Sequence, residues 1–272
     1  EEQADSGGVV GDEDASHIRR FWQHGQVEPS LLEQLPDHER RRIQAREGLD
    51  HEELAGRRLA GEPLQYLEGT AAFADFEVVV DERVLIPRPE TEGLFELAAE
   101  SVTDPRRVVD LGTGSGVLAI ALARRFPLAA VHGVDRLPGA IDVARQNAAR
   151  LAATVRFHLG DLFSPLAPEL RGTVGLIVSN PPYVAAHEWG GLPADVRHEP
   201  REALVAGPEG TEVLERIAAE VGDWLGPNGV VVCEIGETQA RAVSAMFEPL
   251  GPVRVVDDLA GRPRYVLARR AH

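Results

Sequence analysis

From residue 106 onward, short apolar runs alternate with stretches of helical periodicity, and few architectures satisfy that pattern. RVVDLG, AAVHGVD, VRFHLGDL, VGLIVSNPP and GVVVCEIG read as strands. VLAIALARRF, GAIDVARQNAARL and the segments around 211–225 and 237–248 read as helices between them. Strands apolar on both faces, alternating with helices, imply an α/β fold with a doubly wound, mostly parallel sheet. RVVDDL and RYVLAR are expected as an antiparallel pair at the C-terminal edge.

The chain before this region has a different texture. Residues 1–15 are acidic and Gly-rich and are expected as a flexible tail. Residues 16–68 read as a small helical domain, with Ile18, Phe21 and Trp22 at helical spacing and Leu31, Leu32 and Leu35 following. Its arginines (Arg40, Arg41, Arg42, Arg46, Arg57, Arg58) either form a solvated face laced with Glu or meet an acidic partner. Residues 69–89 hold β-branched runs around Asp81-Glu82, which predicts a connecting β-hairpin turning there. Pro87 and Pro89 end it, and Thr91 is expected to cap the helix that opens residues 90–272.

Composition excludes several kinds of chemistry. Lys and Arg total 28 against 44 Asp and Glu, a net charge of −16, which argues against affinity built on neutralising nucleic-acid phosphates. Every one of those cations is Arg, so no lysine nucleophile or Walker-type lysine exists. The lone Cys233 forbids an internal disulfide, and the histidines, His187 and His198 among them, show no metal-ligand spacing. No run of about 18 apolar residues is present to span a membrane. A cytoplasmic protein without a metal and without membrane contact is expected.

The strand tips carry the chemistry. Asp110-Leu-Gly-Thr-Gly-Ser-Gly116 ends a strand and opens a helix, and glycines there let backbone approach a ligand closely. Val117 stands where the dinucleotide fingerprint needs its third glycine. The turn therefore suits S-adenosylmethionine better than a pyrophosphate, and Gly112, Thr113, Gly114, Ser115 and Gly116 are its expected contacts. Asp135, at the next tip, can accept both ribose hydroxyls or can cap a helix. Asp161 and Leu162, at the third tip, either accept from and cover an adenine or serve as cap and core.

The sharpest motif is Asn180-Pro181-Pro182-Tyr183, directly after an apolar strand. Two prolines stiffen the backbone and remove two N–H donors, leaving the Pro181 carbonyl as an acceptor. Asn180 adds a side-chain oxygen and Tyr183 a flat wall. Two acceptors beside a wall suit a planar nitrogen bearing two hydrogens. Arg88 and Glu90 either line the cofactor mouth or fix the hairpin, and Glu199-Pro200 either closes the site or turns the chain.

GEPLQYLEG, FEVVVDERVLIPRPETE, DLGTGSG, GDLF, IVSNPPYV, EPREALVAGPEG, CEIGETQ and DLAGRPRYVLAR resemble, in order, segments of the HemK/PrmC family of release factor glutamine methyltransferases. The resemblance covers about residues 61–272. It implies a class I S-adenosylmethionine-dependent methyltransferase fold. It also implies methyl transfer to the side-chain amide of the glutamine in the Gly-Gly-Gln loop of peptide chain release factors, leaving S-adenosyl-L-homocysteine. By motif, Gly112 to Gly116 line the methionine portion, Asp135 holds the ribose and Asp161-Leu162 flank the adenine. Asn180 touches the cofactor and, with the Pro181 carbonyl, binds the amide; Pro182 and Tyr183 pack beside it. Residues 16–68 are implied to dock the release factor, and a monomer without direct nucleic-acid contact is expected. The alternative is methylation of an adenine amine in DNA or RNA, where NPPY also serves.

Overall fold

The computed structural model describes residues 29–271. The expected tail at 1–15 and the spacing of Ile18, Phe21 and Trp22 lie outside the described residues. The chain divides into two compact units, Glu1–Leu59 and Ala60–His272. Among the described residues, no helix is long and apolar enough to cross a membrane.

In the first unit, helix α1 (Asp37–Gln44) follows Pro36 and helix α2 spans His51–Leu59. Both carry acids in the first turn and arginines in the last, matching the helix dipole. Ile43, Leu54 and Ala55 are buried. Arg58 grips the Glu39 carboxylate with Nε and Nη2 at 2.9 and 2.8 Å, so this arginine links the two helices of its own unit.

The second unit begins with helix α3 (Leu64–Glu68), which ends at Gly69 in the left-handed region, φ 75°. The chain turns there into the hairpin β1 (Thr70–Phe73) and β2 (Phe76–Val79). Thus α3 belongs with the sheet-bearing unit, and the division falls at residue 59 where the sequence suggested 68. The hairpin also turns earlier than expected, with Phe73 opposite Phe76 across Ala74-Asp75. Asp81 instead closes a separate turn: its carbonyl accepts from Val84 N–H and its carboxylate from Arg83 N–H. Beyond it, Ile86 N–H goes to a side chain, Glu199, and none of residues 83–88 joins a ladder.

Helix α4 (Pro89–Glu100) starts at Arg88, with proline in the first turn, where its missing N–H costs nothing. Thr91 lies inside that turn and is buried, so it is not the cap. The alternation then runs β3 (Arg107–Leu111), α5 (Val117–Arg125), β4 (Ala130–Asp135), α6 (Pro138–Arg150), β5 (Val155–Leu159) and β6 (Val174–Ser179). After these come the short pair β7 (Val184–Ala185) and β8 (Val205–Gly207), with α7 (Arg201–Leu204) between them. Helix α8 (Glu212–Trp224), β9 (Leu225–Glu234), α9 (Ala240–Phe247), β10 (Val253–Asp257) and β11 (Pro263–Arg269) complete the chain.

The main sheet has the order β10-β11-β9-β6-β3-β4-β5. Five strands are parallel, and β11 and β10 run antiparallel. The expected doubly wound sheet is present, although β11 inserts between β9 and β10, so only β10 forms the edge. Central β3 and β9 are buried on both faces, whereas edge strands β5 and β10 alternate. Order reverses between β3 and β6, which places a crevice beyond their carboxyl ends.

Asn147 on α6 is fully buried and joins three segments. Its Nδ2 donates to Val79 O and Ser115 O at 3.0 and 2.9 Å, and its Oδ1 accepts from Val79 N–H at 2.7 Å. The hairpin is thereby tied to the glycine turn after β3.

Candidate active site

The glycine turn after β3 uses three left-handed residues, Gly112, Gly114 and Gly116, at φ 71°, 54° and 81°. Backbone N–H groups of Gly112 and Thr113 donate to Val134 O at 2.8 and 2.9 Å, closing the turn onto β4. Asp110 is fully buried beneath it. Its Oδ2 accepts from the Thr113 hydroxyl at 2.6 Å and from Ala119 N–H at 3.2 Å, while Oδ1 has no partner. Burial pushes the Asp110 carboxyl up to about 7.

Asp135 stands across the turn. Its Oδ2 accepts from Gly114 N–H and its Oδ1 from Leu137 N–H, both at 2.9 Å. Each carboxylate oxygen retains acceptor capacity, since an ionised carboxylate accepts about four hydrogen bonds. Burial raises its pKa. Beyond β5, Asp161 Oδ2 pairs with Arg216 at 2.5 Å, and Leu162 takes a left-handed backbone, φ 47°.

Beyond β6, Asn180 Nδ2 donates to the Thr91 hydroxyl at 3.1 Å. With its nitrogen so occupied, the amide presents Oδ1 as the free acceptor. The Tyr183 hydroxyl donates to Glu234 Oε1 at 3.2 Å, and Gln239 Nε2 holds Tyr183 O at 2.9 Å. Gly210, φ 85°, lies so close that a Cβ there would stand 2.7 Å from Tyr183 O.

These tips border a cavity of about 830 Å³ that is open to solvent. Of the residues singled out in the sequence, Gly112, Gly114, Asp135, Asp161, Leu162, Asn180, Pro181 and Pro182 line it. Thr113, Ser115 and Gly116 do not. The Thr113 hydroxyl is turned onto Asp110, Ser115 is buried against Asn147, and Gly116 packs toward Ala144 and Phe157. Tyr183 lines a second cavity of about 310 Å³, which shares Leu85, Asn180, Pro181, Pro182 and Ala203 with the first.

Sequence reasoning missed other walls. Val84 and Leu85 come from the stretch just before IPRPET and Ala203 and Val205 from α7 and β8, and neither stretch ends an apolar strand of the main sheet. Glu234 was missed although it ends β9 as Asp135 ends β4, a signal the sequence did carry. Arg88 forms a short ion pair with Glu199, whose other oxygen accepts Ile86 N–H at 2.9 Å. Both residues fix the hairpin-side segment to the loop before α7. Cys233 is buried in β9, its thiol pushed up to about 12 by burial. Among the described residues, no group of His, Cys, Asp and Glu is arranged to hold a metal.

Known proteins share this frame. Release factor glutamine methyltransferase of Koribacter versatilis is 40% identical over 233 residues, 85% of this chain and 82% of its own. That of Mycolicibacterium smegmatis is 42% identical over 225 residues, 80% of this chain and 79% of its own. The chain belongs to the release factor glutamine methyltransferase family. The family profile "Methyltransferase small domain" matches residues 93–199. Two solved structures share the fold. A methyltransferase from Pyrococcus furiosus has a TM-score of 0.55 at 20% identity, covering 74% of this chain and 92% of that one. A ribosomal protein L11 methylase from Lactobacillus delbrueckii has a TM-score of 0.53 at 19% identity, covering 75% and 99%.

The release factor glutamine methyltransferase family depends on S-adenosylmethionine, and the larger cavity fits that group. At Gly114 an added Cβ would meet no protein atom within 4 Å, so bare backbone borders open space. Asp135 offers spare carboxylate acceptors, and Leu162 and Leu137 offer apolar wall.

Proposed function

We propose that this chain transfers a methyl group from S-adenosylmethionine to the side-chain amide nitrogen of the glutamine in the Gly-Gly-Gln motif of peptide chain release factors. The observation that carries the reading is that Asn180, its amide nitrogen held by the Thr91 hydroxyl, lines both cavities.

In this reading Asp135 takes the ribose hydroxyls, and backbone at Gly112 and Gly114 runs beside the methionine portion. Leu162 covers the adenine, with Asp161 held in place by Arg216. Thr113, Ser115 and Gly116 shape the turn from behind it. When bound, the donor supplies a methyl group already activated by a sulfonium charge. An amide nitrogen is a poor nucleophile because its lone pair is delocalised, so the protein must act through position and electrostatics. Asn180 Oδ1 and the Pro181 carbonyl receive its two N–H groups. As the nitrogen gains positive charge these acceptors bind more strongly, favouring the transition state over the ground state. The two prolines keep the acceptors from relaxing away, and orientation of this kind contributes roughly 7–11 kcal/mol. Tyr183, tied to Glu234, walls the seat.

Residues 16–68 are assigned to docking the release factor. Action as a monomer belongs to this reading, and a release factor substrate supports a cytoplasmic setting. The net charge of −16 supports a protein over a nucleic-acid acceptor. The test is mass spectrometry of a release factor after incubation with enzyme and S-adenosylmethionine, with DNA and RNA as control acceptors. Methylation of the loop glutamine is expected; methylation of nucleic acid alone would overturn the reading.

A further inference from the structure

Glu234 is 2% exposed, yet its carboxyl borders the smaller cavity. Oε1 accepts from the Tyr183 hydroxyl, and Oε2 has no hydrogen-bond partner. A buried acceptor without a donor is rare and costly, and a second carboxylate beside it would add to that cost. Of the cations nearby, Arg88 pairs with Glu199, and Arg264 donates from Nη1 to Ile235 O at 3.4 Å while its buried Nε, 3.6 Å from Asp258, has no hydrogen-bond partner. Asn180 and Pro181 line the same small cavity. The seat therefore gathers acceptors and one acid, and offers no uncommitted cation among the residues that line it.

We propose that Glu234 determines specificity, its carboxylate admitting an uncharged carboxamide to the smaller cavity and rejecting by its charge the carboxylate of the same length. The inference rests on the reading of the chain as a glutamine methyltransferase. A glutamine amide carries no charge, and its two hydrogens go to Asn180 Oδ1 and the Pro181 carbonyl. A glutamate brings only oxygens and a second negative charge, and like charges placed side by side are strongly disfavoured. The groups facing Glu234 are Tyr183, Arg264, Glu90, Arg88 and Tyr265. Burial pushes the Glu234 carboxyl up to about 7. Its charge, and with it the preference for glutamine, grows as pH rises through that value.

The experiment compares two forms of a release factor, with Gln or Glu at the acceptor position. Binding is measured by calorimetry to the enzyme loaded with S-adenosylhomocysteine, so that no turnover intervenes. Wild type is expected to prefer Gln by about tenfold or more at pH 8, and by less at pH 6. Glu234→Gln is expected to bring the ratio within about threefold and make it flat with pH, with S-adenosylhomocysteine affinity unchanged. A purely structural Glu234 would not move that ratio. An unchanged ratio in the folded variant, or a wild-type ratio that ignores pH, overturns the proposal. If Glu234→Gln fails to fold, the wild-type pH comparison decides alone. A wild type that neither binds nor methylates the Gln form would instead overturn the functional reading.

Discussion

Asn180 and Thr91 stand 89 positions apart in sequence, yet the Asn180 amide nitrogen rests on the Thr91 hydroxyl at 3.1 Å. The helix after the IPRP segment thus helps to fix the orientation of the motif's amide. Thr91→Val keeps the volume and removes the acceptor. It is expected to lower turnover by about tenfold, the order of one lost hydrogen bond. Thr91→Ser is expected to restore most of the rate. Steady-state kinetics of the pair checks this, and equal rates for Val and Ser would defeat it.

Asn180→Ala removes the acceptor itself. Turnover is expected to fall by about a hundredfold or more, with cofactor affinity within about threefold. Calorimetry with S-adenosylhomocysteine beside single-turnover rates separates the two effects. Parallel loss of both would place Asn180 in donor binding alone.

Gly114 and Gly116 share a left-handed backbone but not their surroundings. A Cβ at Gly116 would meet Ala144 Cβ at 3.0 Å and Phe157 Cζ at 3.3 Å, whereas one at Gly114 meets nothing within 4 Å. Both alanine variants bear backbone strain of about 1 kcal/mol. Gly116→Ala is expected to lose about 1–3 kcal/mol more through overpacking. Gly114→Ala is expected to weaken donor binding instead. Denaturant unfolding and calorimetry on both variants give the comparison.

Asp110 sets part of the pH dependence of folding. Its carboxyl rises from 3.8 to about 7 on burial, so the native state holds the proton more tightly than the unfolded chain. Its contribution to stability is full below the unfolded value and is lost as pH rises toward 7. Asp110→Asn is expected to flatten the fall in stability between pH 5 and 7 by up to about 1.4 kcal/mol per pH unit. Urea unfolding across that range measures it, and an unaltered slope would mean that Asp110 is ionised throughout.

Arg88 and Glu199 form an ion pair in which the acid is buried and the base is one-third exposed. Removing the base leaves an uncompensated buried charge, whereas Glu199→Gln keeps an acceptor for Ile86 N–H. Arg88→Ala is therefore expected to lower the Tm more than Glu199→Gln, by the equivalent of about 1–3 kcal/mol. The reverse order in calorimetric melting would show that desolvation of the pair outweighs its attraction.

The sheet was legible because central strands carry unbroken apolar runs such as VVVC and VGLIV, which few structures other than a covered parallel sheet accept. Asp135 and the NPPY residues were legible because strand ends are where such sheets expose chemistry. Local pattern misled where tertiary contacts decide. FEVVVDERVLI contains two β-branched runs, but the ladder forms on the Ala74-Asp75 side because Ile86 N–H is claimed by Glu199. Thr91 has the composition of a cap, yet it lies within the helix and bonds Asn180, a partner no local window contains. Nor does spacing reveal that Thr113, Ser115 and Gly116 face inward while their neighbours face the cavity.

The Asn147 side chain has its two hydrogens and its oxygen committed to backbone from the hairpin and the glycine turn. No other residue type of that length supplies a neutral acceptor and a paired donor together. The hairpin is therefore not a portable appendage. Grafted onto a related scaffold that has Leu or Ala at this helix position, it would lack its anchor, and a chain that loses this one amide uncouples the ribbon from the turn after β3.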